Sequence, residues 1–151
     1  MALLRELELP PVSVPSGAPF LEAARALLAA ETSAIAVLGD DDHVVGVFND
    51  DDLLRGLFPR YLEELHHTAF LVEDGELLLA NIEATAGEPV DRFMREPVTV
   101  EIDSSVAHVV ERFLHTPWGA VAVVEDARFV GMVDQLAFVR HLLNRLDIPT
   151  P

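Results

Sequence analysis

The chain contains no cysteine, which excludes a disulfide framework, a thiolate nucleophile and any zinc site built on thiolates. No apolar run approaches the about 18 residues needed to cross a bilayer, so the sequence does not read as an integral membrane protein. The opening residues, Met1-Ala2-Leu3-Leu4-Arg5-Glu6, lack the long apolar segment of a secretory signal. With the missing cysteines, this gives a cytoplasmic expectation. Basic residues are scarce: 10 lysines and arginines stand against 26 aspartates and glutamates, for a formal net charge of −16. Binding to nucleic acid relies on basic side chains displacing counterions from phosphates. Arg92 and Arg95 are the one basic pair close in sequence, so neither nucleic acid nor an anionic membrane is an expected partner. The serines Ser13, Ser16, Ser33, Ser104 and Ser105 stand in no nucleophile-elbow setting, and no enzymatic activity is expected.

What is present is a duplication. Val12-Ser13-Val14, followed by apolar Phe20, Ala23, Ala24, Leu27 and Leu28, returns 86 residues later as Val98-Thr99-Val100, followed by Val106, Val109, Val110, Phe113 and Leu114. Ile35-Ala36-Val37-Leu38 matches Val121-Ala122-Val123-Val124 at the same offset, and Gly46-Val47-Phe48 matches Gly131-Met132-Val133 at 85. A repeat that keeps register across strand, helix and hairpin is one supersecondary unit used twice. The apolar spacing i, i+3, i+4, i+7 predicts a helix from Pro19 to Ala30, and its counterpart starts after Ser104 or Ser105, either of which can cap it. Short continuous apolar runs predict strands buried on both faces, with turns at Gly39 to Asp42 and Glu125 to Arg128. Second helices start near Asn49 and Asp134, so each unit reads β-α-β-β-α.

Three segments follow: residues 1–58 as the first repeat, 59–95 as a helical connector, and 96–151 as the second repeat. Within the connector, Tyr61 to His66 and Asp74 to Thr85 are predicted helical, and Val90 to Met94 form a last turn. Asp40-Asp41-Asp42 lacks the alternating ligands and closing glutamate of a calcium loop and reads as a solvated hairpin tip. Adjacent His66 and His67 point apart on a helix, and His43, His108, His115 and His141 have no ligand spacing. No metal site is expected.

The tandem unit, with Pro97-Val98-Thr99-Val100 opening one copy and hairpins that end in Gly-apolar-apolar, resembles the CBS domain, named for cystathionine beta-synthase. Two such domains form a Bateman module. The resemblance implies a mixed α/β (α+β) fold of two CBS repeats packed with pseudo-two-fold symmetry. It also implies a homodimer in which helices 49–58 and 134–145 supply much of the contact. It implies regulation of another protein in trans by an adenosine-containing ligand such as AMP, ADP, ATP or S-adenosylmethionine. The family signature (Gly, two apolar residues, Ser or Thr, two variable residues, Asp) falls on Gly46-Val47-Phe48-Asn49-Asp50-Asp51-Asp52 and Gly131-Met132-Val133-Asp134-Gln135-Leu136-Ala137. Asp52 matches the ribose aspartate, whereas Asn49 replaces the hydroxyl residue. In the second copy Ala137 replaces the aspartate, and Asp134 places a carboxylate where phosphate would sit. Alanine also stands at Ala36 and Ala122, where the family often has proline.

By this resemblance the first repeat holds the ligand. Asp52 would take ribose and the backbone of Ser33, Ala34, Ile35 and Ala36 the adenine edges. Val14, Val47 and Phe48 would form apolar walls, with Asn49 and Arg55 toward phosphate. A plainer reading stands beside each. An aspartate in a helix's first turn is favoured by the helix dipole without any ligand. Asn49 and Asp134 are good N-caps, and Arg55, like its equivalent Arg140, can pair with the acidic surface. Trp118 suits packing or an interface as well as stacking on adenine. The rival function is a nucleotide-free dimerisation or protein-interaction module.

Overall fold

The computed structural model describes residues 2–30, 32–58 and 75–151. In chain order they form α1 (Leu3–Glu6), β1 (Ser13–Pro15), α2 (Phe20–Ala29), β2 (Ala34–Leu38), β3 (Val44–Asn49), α3 (Asp50–Leu57), α4 (Gly75–Ala86), β4 (Thr99–Glu101), α5 (Val106–Leu114), β5 (Ala120–Glu125), β6 (Arg128–Asp134) and α6 (Gln135–Arg145). The β-α-β-β-α order occurs twice, in a mixed α/β fold. The helix expected over Tyr61 to His66 lies outside the described residues; the one expected over Asp74 to Thr85 is α4.

Each repeat builds a three-stranded sheet, β1-β2-β3 or β4-β5-β6, with the first pair parallel and the second antiparallel. The register is duplicated as well. Ser13 lies opposite Ala36 and Thr99 opposite Ala122, and the hairpins slip at equivalent points, after Val37 and after Val123. Side chains alternate across a strand, and in β2 and β5 both faces are buried. Ile35 and Val37 join Phe20, Ala23, Leu27 and Phe48 in one core, while Val121 and Val123 join Val109, Phe113 and Phe138 in another. On the opposite faces, Ala34 and Ala36 meet Ala120 and Ala122 in a third apolar layer, filled by Val47 and Met132. Small alanines let the two sheets lie close, which accounts for their place in the central strands.

The helix starts follow local chemistry. Ser105, not Ser104, caps α5, its hydroxyl accepting the His108 N–H at 3.2 Å. Asn49 caps α3 and Asp134 caps α6. At the far end of α3, the Asn81 side chain of α4 donates to the Leu57 carbonyl at 2.6 Å, satisfying one of the orphan acceptors of a helix C-terminus. Asp40–Asp42 form a short exposed 3-10 turn, with Asp41 and Asp42 at positive φ, a conformation aspartate tolerates.

The segments leading into β1 and β4 change partners. Leu3 and Leu4 of α1 are buried in the core of the second repeat. Arg5 binds Asp103 through two contacts of 2.5 and 2.8 Å, and Glu6 pairs with His141 at 2.8 Å, which holds the Glu6 carboxyl below its ordinary range. The Met132 N–H donates to the Pro10 carbonyl at 3.0 Å. Conversely, Val90 is buried in the first core, with Phe93 and Met94 packed at its edge. Asp91 accepts from the Ser16 hydroxyl and the Gly17 N–H at 2.5 and 2.6 Å. Arg95 and Val47 exchange backbone hydrogen bonds of 3.0 and 2.9 Å. Residues 2–11 and 90–95 therefore each pack on the repeat that they do not precede.

This crossing explains the glycine in both hairpins. A Cβ on Gly131 would stand 2.6 Å from the Leu9 carbonyl oxygen, and one on Gly46 would meet the Met94 side chain. Glycine permits that close backbone approach.

Candidate functional site

Both β-to-α junctions open on one cleft of about 550 Å³ between the repeats. From the first repeat come Ser33 and the start of α3, Asn49 to Asp51. From the second come Trp118 and the start of α6, Asp134 to Leu136. Arg95 reaches in from the connector. The junctions converge because β2 and β5 stack through their alanine faces, which brings the ends of β3 and β6 to the same side. The Ser33 hydroxyl donates to the Trp118 carbonyl, bridging the repeats at the cleft. The Trp118 indole nitrogen is buried without a hydrogen-bond partner among the described residues.

A helix N-terminus ordinarily offers free N–H groups to an anion. Here those groups are already engaged. In α3 the Asp50 N–H donates to the Ser33 carbonyl, the Asp51 N–H to the Asp50 carboxylate, and the Asp52 N–H to the Asn49 side chain. In α6 the Gln135 N–H donates to the Gly119 carbonyl, while the Leu136 and Ala137 N–H groups share one Asp134 oxygen at 2.8 and 3.4 Å. With Asp50, Asp51 and Asp134 lining the cleft, its mouth is acidic.

Asp52 lies directly behind this lining and is only 4 % exposed. One oxygen accepts the Asn49 N–H at 3.1 Å, completing a reciprocal capping box; the other accepts from Arg95 Nε at 3.0 Å. Burial pushes the Asp52 carboxyl above the ordinary aspartate range, while the Asn49 N–H and Arg95 pull the other way.

Of the ten residues singled out from the sequence, Ser33 and Asn49 line the cleft. Val14, Ile35 and Phe48 belong to the first core, and Ala34, Ala36 and Val47 to the layer between the sheets. All six are buried in those layers. In the β2–β3 ladder Ala34, Ile35 and Ala36 lie opposite Asn49, Phe48 and Val47, and the Ser33 carbonyl takes the Asp50 N–H. Arg55 lies on the exposed face of α3.

Arg95 is the residue sequence reasoning missed at this site. Its one visible signal is an arginine just ahead of Pro97-Val98-Thr99-Val100. A smaller cavity of about 170 Å³ lies beside the second junction, lined by Pro10, Thr32, Met132, Asp134 and Ala137. Thr32 is 86 residues before Trp118, and its hydroxyl is also buried without a partner among the described residues. Those residues contain no cluster of His, Asp or Glu able to hold a metal, and no helix long and apolar enough to cross a membrane.

The profile of the CBS domain matches residues 4–59 and again 90–144. The chain belongs to the CBS-domain family. Its two matched stretches make it a tandem CBS pair, a regulatory module. Among solved structures, a CBS-domain protein from Kribbella flavida is similar over 95% of this chain and 98% of its own, with a TM-score of 0.75 at 20% identity. The CBS-pair protein CBSX2 from Arabidopsis thaliana aligns over 93% of this chain and 94% of its own, at 0.69 and 21%. The CBS domain pair of protein MJ0100, solved in complex with 5-methylthioadenosine and S-adenosyl-L-methionine, aligns over 95% and 96%, at 0.63 and 19%. At such identities the likeness is one of fold. No curated protein matches the chain.

Proposed function

We propose that this CBS pair senses an adenosine-containing ligand in the cleft between its repeats and regulates a separate protein in trans. The observation that carries the reading is a cleft of about 550 Å³ lined from both repeats. A ligand there touches both halves and shifts their packing by its different affinity for the two arrangements. Ser33, Asn49 and Trp118 line that cleft, and Asp52 is the residue proposed for ribose. The MJ0100 complex supports the ligand class.

Within that class, the cleft favours a ligand without phosphate. Neither helix start has a free donor in its first turn, and three carboxylates would oppose a polyphosphate. The sulfonium of S-adenosylmethionine adds a positive charge that suits the same surroundings. Calorimetric titration of S-adenosylmethionine, 5′-methylthioadenosine, AMP, ADP and ATP tests this. Saturable binding is expected for the first two, with ATP weaker than S-adenosylmethionine by about tenfold or more, the equivalent of ~1.4 kcal/mol of charge repulsion. Failure of every compound to bind at millimolar concentration would sink the sensor and favour the nucleotide-free interaction module.

The homodimer enters as part of the same proposal. Leu28 and Leu54 of α2 and α3 are exposed, and so are their equivalents Leu114 and Val139 of α5 and α6. Unpartnered leucines at matching positions in both repeats suit a second copy, which meets the same residues from either half. Light scattering is expected to show a dimer that Leu54→Asp combined with Val139→Asp converts to monomer. A monomeric natural chain contradicts this part of the proposal.

A further inference from the structure

We propose that Arg95 is a displaceable latch on the first-repeat side of the cleft. It holds the Asp52 carboxylate until the hydroxyl groups of a bound nucleoside replace its guanidinium, and so sets the affinity of the site. The proposal rests on the ligand-sensing reading above and adds a residue and a regulation to it.

The contact is closed as it stands. Both Asp52 oxygens are engaged, and at 4 % exposure no ligand reaches the carboxylate while Arg95 covers it. Arg95 itself is built to move only at its side chain. Its backbone is pinned by two hydrogen bonds to Val47, whereas the side chain is 35% exposed and lines the cleft. A guanidinium swung away from Asp52 is not stranded, because Asp50 and Asp51 line the same cleft. The ligand hydroxyls then donate to the carboxylate that the guanidinium has left, so both charges keep partners.

The second repeat acts as an internal control for a purely structural role. There the crossing segment is Leu9-Pro10, and Ala137 stands where the first repeat has Asp52, so both members of the pair are missing together. The scaffold forms all the same. Asp134 alone caps α6, Pro10 accepts from the Met132 backbone, and a cavity of about 170 Å³ lies open beside Ala137. Neither helix capping nor the docking of the crossing segment therefore requires a carboxylate paired with an arginine. A buried ion pair is weak grounds for stability in itself, because desolvation offsets much of the attraction. What Asp52 and Arg95 add to the first repeat is a buried, negatively charged acceptor with a removable cover.

The test is calorimetry on the full chain with adenosine and 2′,3′-dideoxyadenosine, using the natural protein, Arg95→Gln, Arg95→Lys and Asp52→Asn, with the fold of each checked by circular dichroism. Arg95→Gln is expected to bind adenosine about tenfold more tightly than the natural chain. Arg95→Lys, which retains the positive charge and safeguards folding, is expected to show a smaller gain. Dideoxyadenosine, which lacks the hydroxyls that replace the guanidinium, should show no gain, and Asp52→Asn should abolish the preference for adenosine over it. Equal or weaker adenosine binding in both Arg95 variants, or a gain shared by dideoxyadenosine, overturns the latch while the sensor reading stands. No binding to any of the four proteins overturns the sensor and the latch together.

Discussion

Gly131→Ala is expected to destabilise the protein by about 2–3 kcal/mol, a loss typical of overpacking a closed contact, whereas Gly46→Ala costs less. The new Cβ at position 131 would stand 2.6 Å from the Leu9 carbonyl oxygen and 2.9 Å from the Leu9 carbonyl carbon. Backbone cannot swing aside as a side chain can. Relief requires the Leu9-Pro10 segment to lift, which stretches the bond from Met132 to Pro10 and loosens Leu3 and Leu4 in the second core. At position 46 the tightest clash is with the Met94 thioether, a flexible group, and the Arg95 carbonyl oxygen is 3.2 Å away. Urea unfolding of both variants measures the difference. A Gly131→Ala midpoint no lower than that of Gly46→Ala would contradict the docking of the leading segment on the second sheet.

Arg95→Ala is expected to cost a comparable amount, about 1.5–3 kcal/mol near neutral pH, because the Asp52 carboxylate loses its charged hydrogen-bond partner. The loss depends on pH with a definite sign. Burial already raises the Asp52 carboxyl above its ordinary value of 3.8, so the folded chain holds this proton more tightly than the unfolded chain does. Ionisation of the group then opposes folding as pH rises through the window above 3.8. Removing Arg95 takes away one of the interactions that lower that value and widens the window. The deficit of the variant should therefore shrink as the solution is acidified toward that window. Adding Asp52→Asn should recover much of it at neutral pH, since the uncompensated charge is gone. Urea midpoints measured at neutral and mildly acidic pH check both statements. A deficit independent of pH would show that Arg95 acts through packing rather than charge.

The architecture was legible because it is written locally and written twice. The helical spacing from Phe20 to Leu27, the apolar runs of β2 and β5 and the caps at Asn49 and Asp134 are each decided within a few neighbouring residues. α1 was not legible: its four residues span barely one turn, too few for any periodicity to declare itself. The crossed docking of residues 2–11 and 90–95 was hidden for a different reason, since nothing in a sequence states which of two similar sheets a segment will choose.

The site shows the same division. The signature places Asp52 at N3 of α3, where a capping acid and a ribose acceptor look alike in sequence. What separates them is the arrival of Arg95, 43 residues away, by way of that crossing. Of the apolar residues assigned to the cleft walls, Val14 and Phe48 lie in the core of their own repeat, while Val47 lies in the layer between the sheets. The two sheets cover each other through Ala34, Ala36, Ala120 and Ala122, leaving β2 no open face.

Because each leading segment completes the opposite core, neither half is a self-sufficient folding unit. A fragment beginning at β4 would lack Leu3 and Leu4, and a fragment ending at α3 would lack Val90, so each would expose an apolar hollow to water. The pair is therefore expected to melt as one cooperative body.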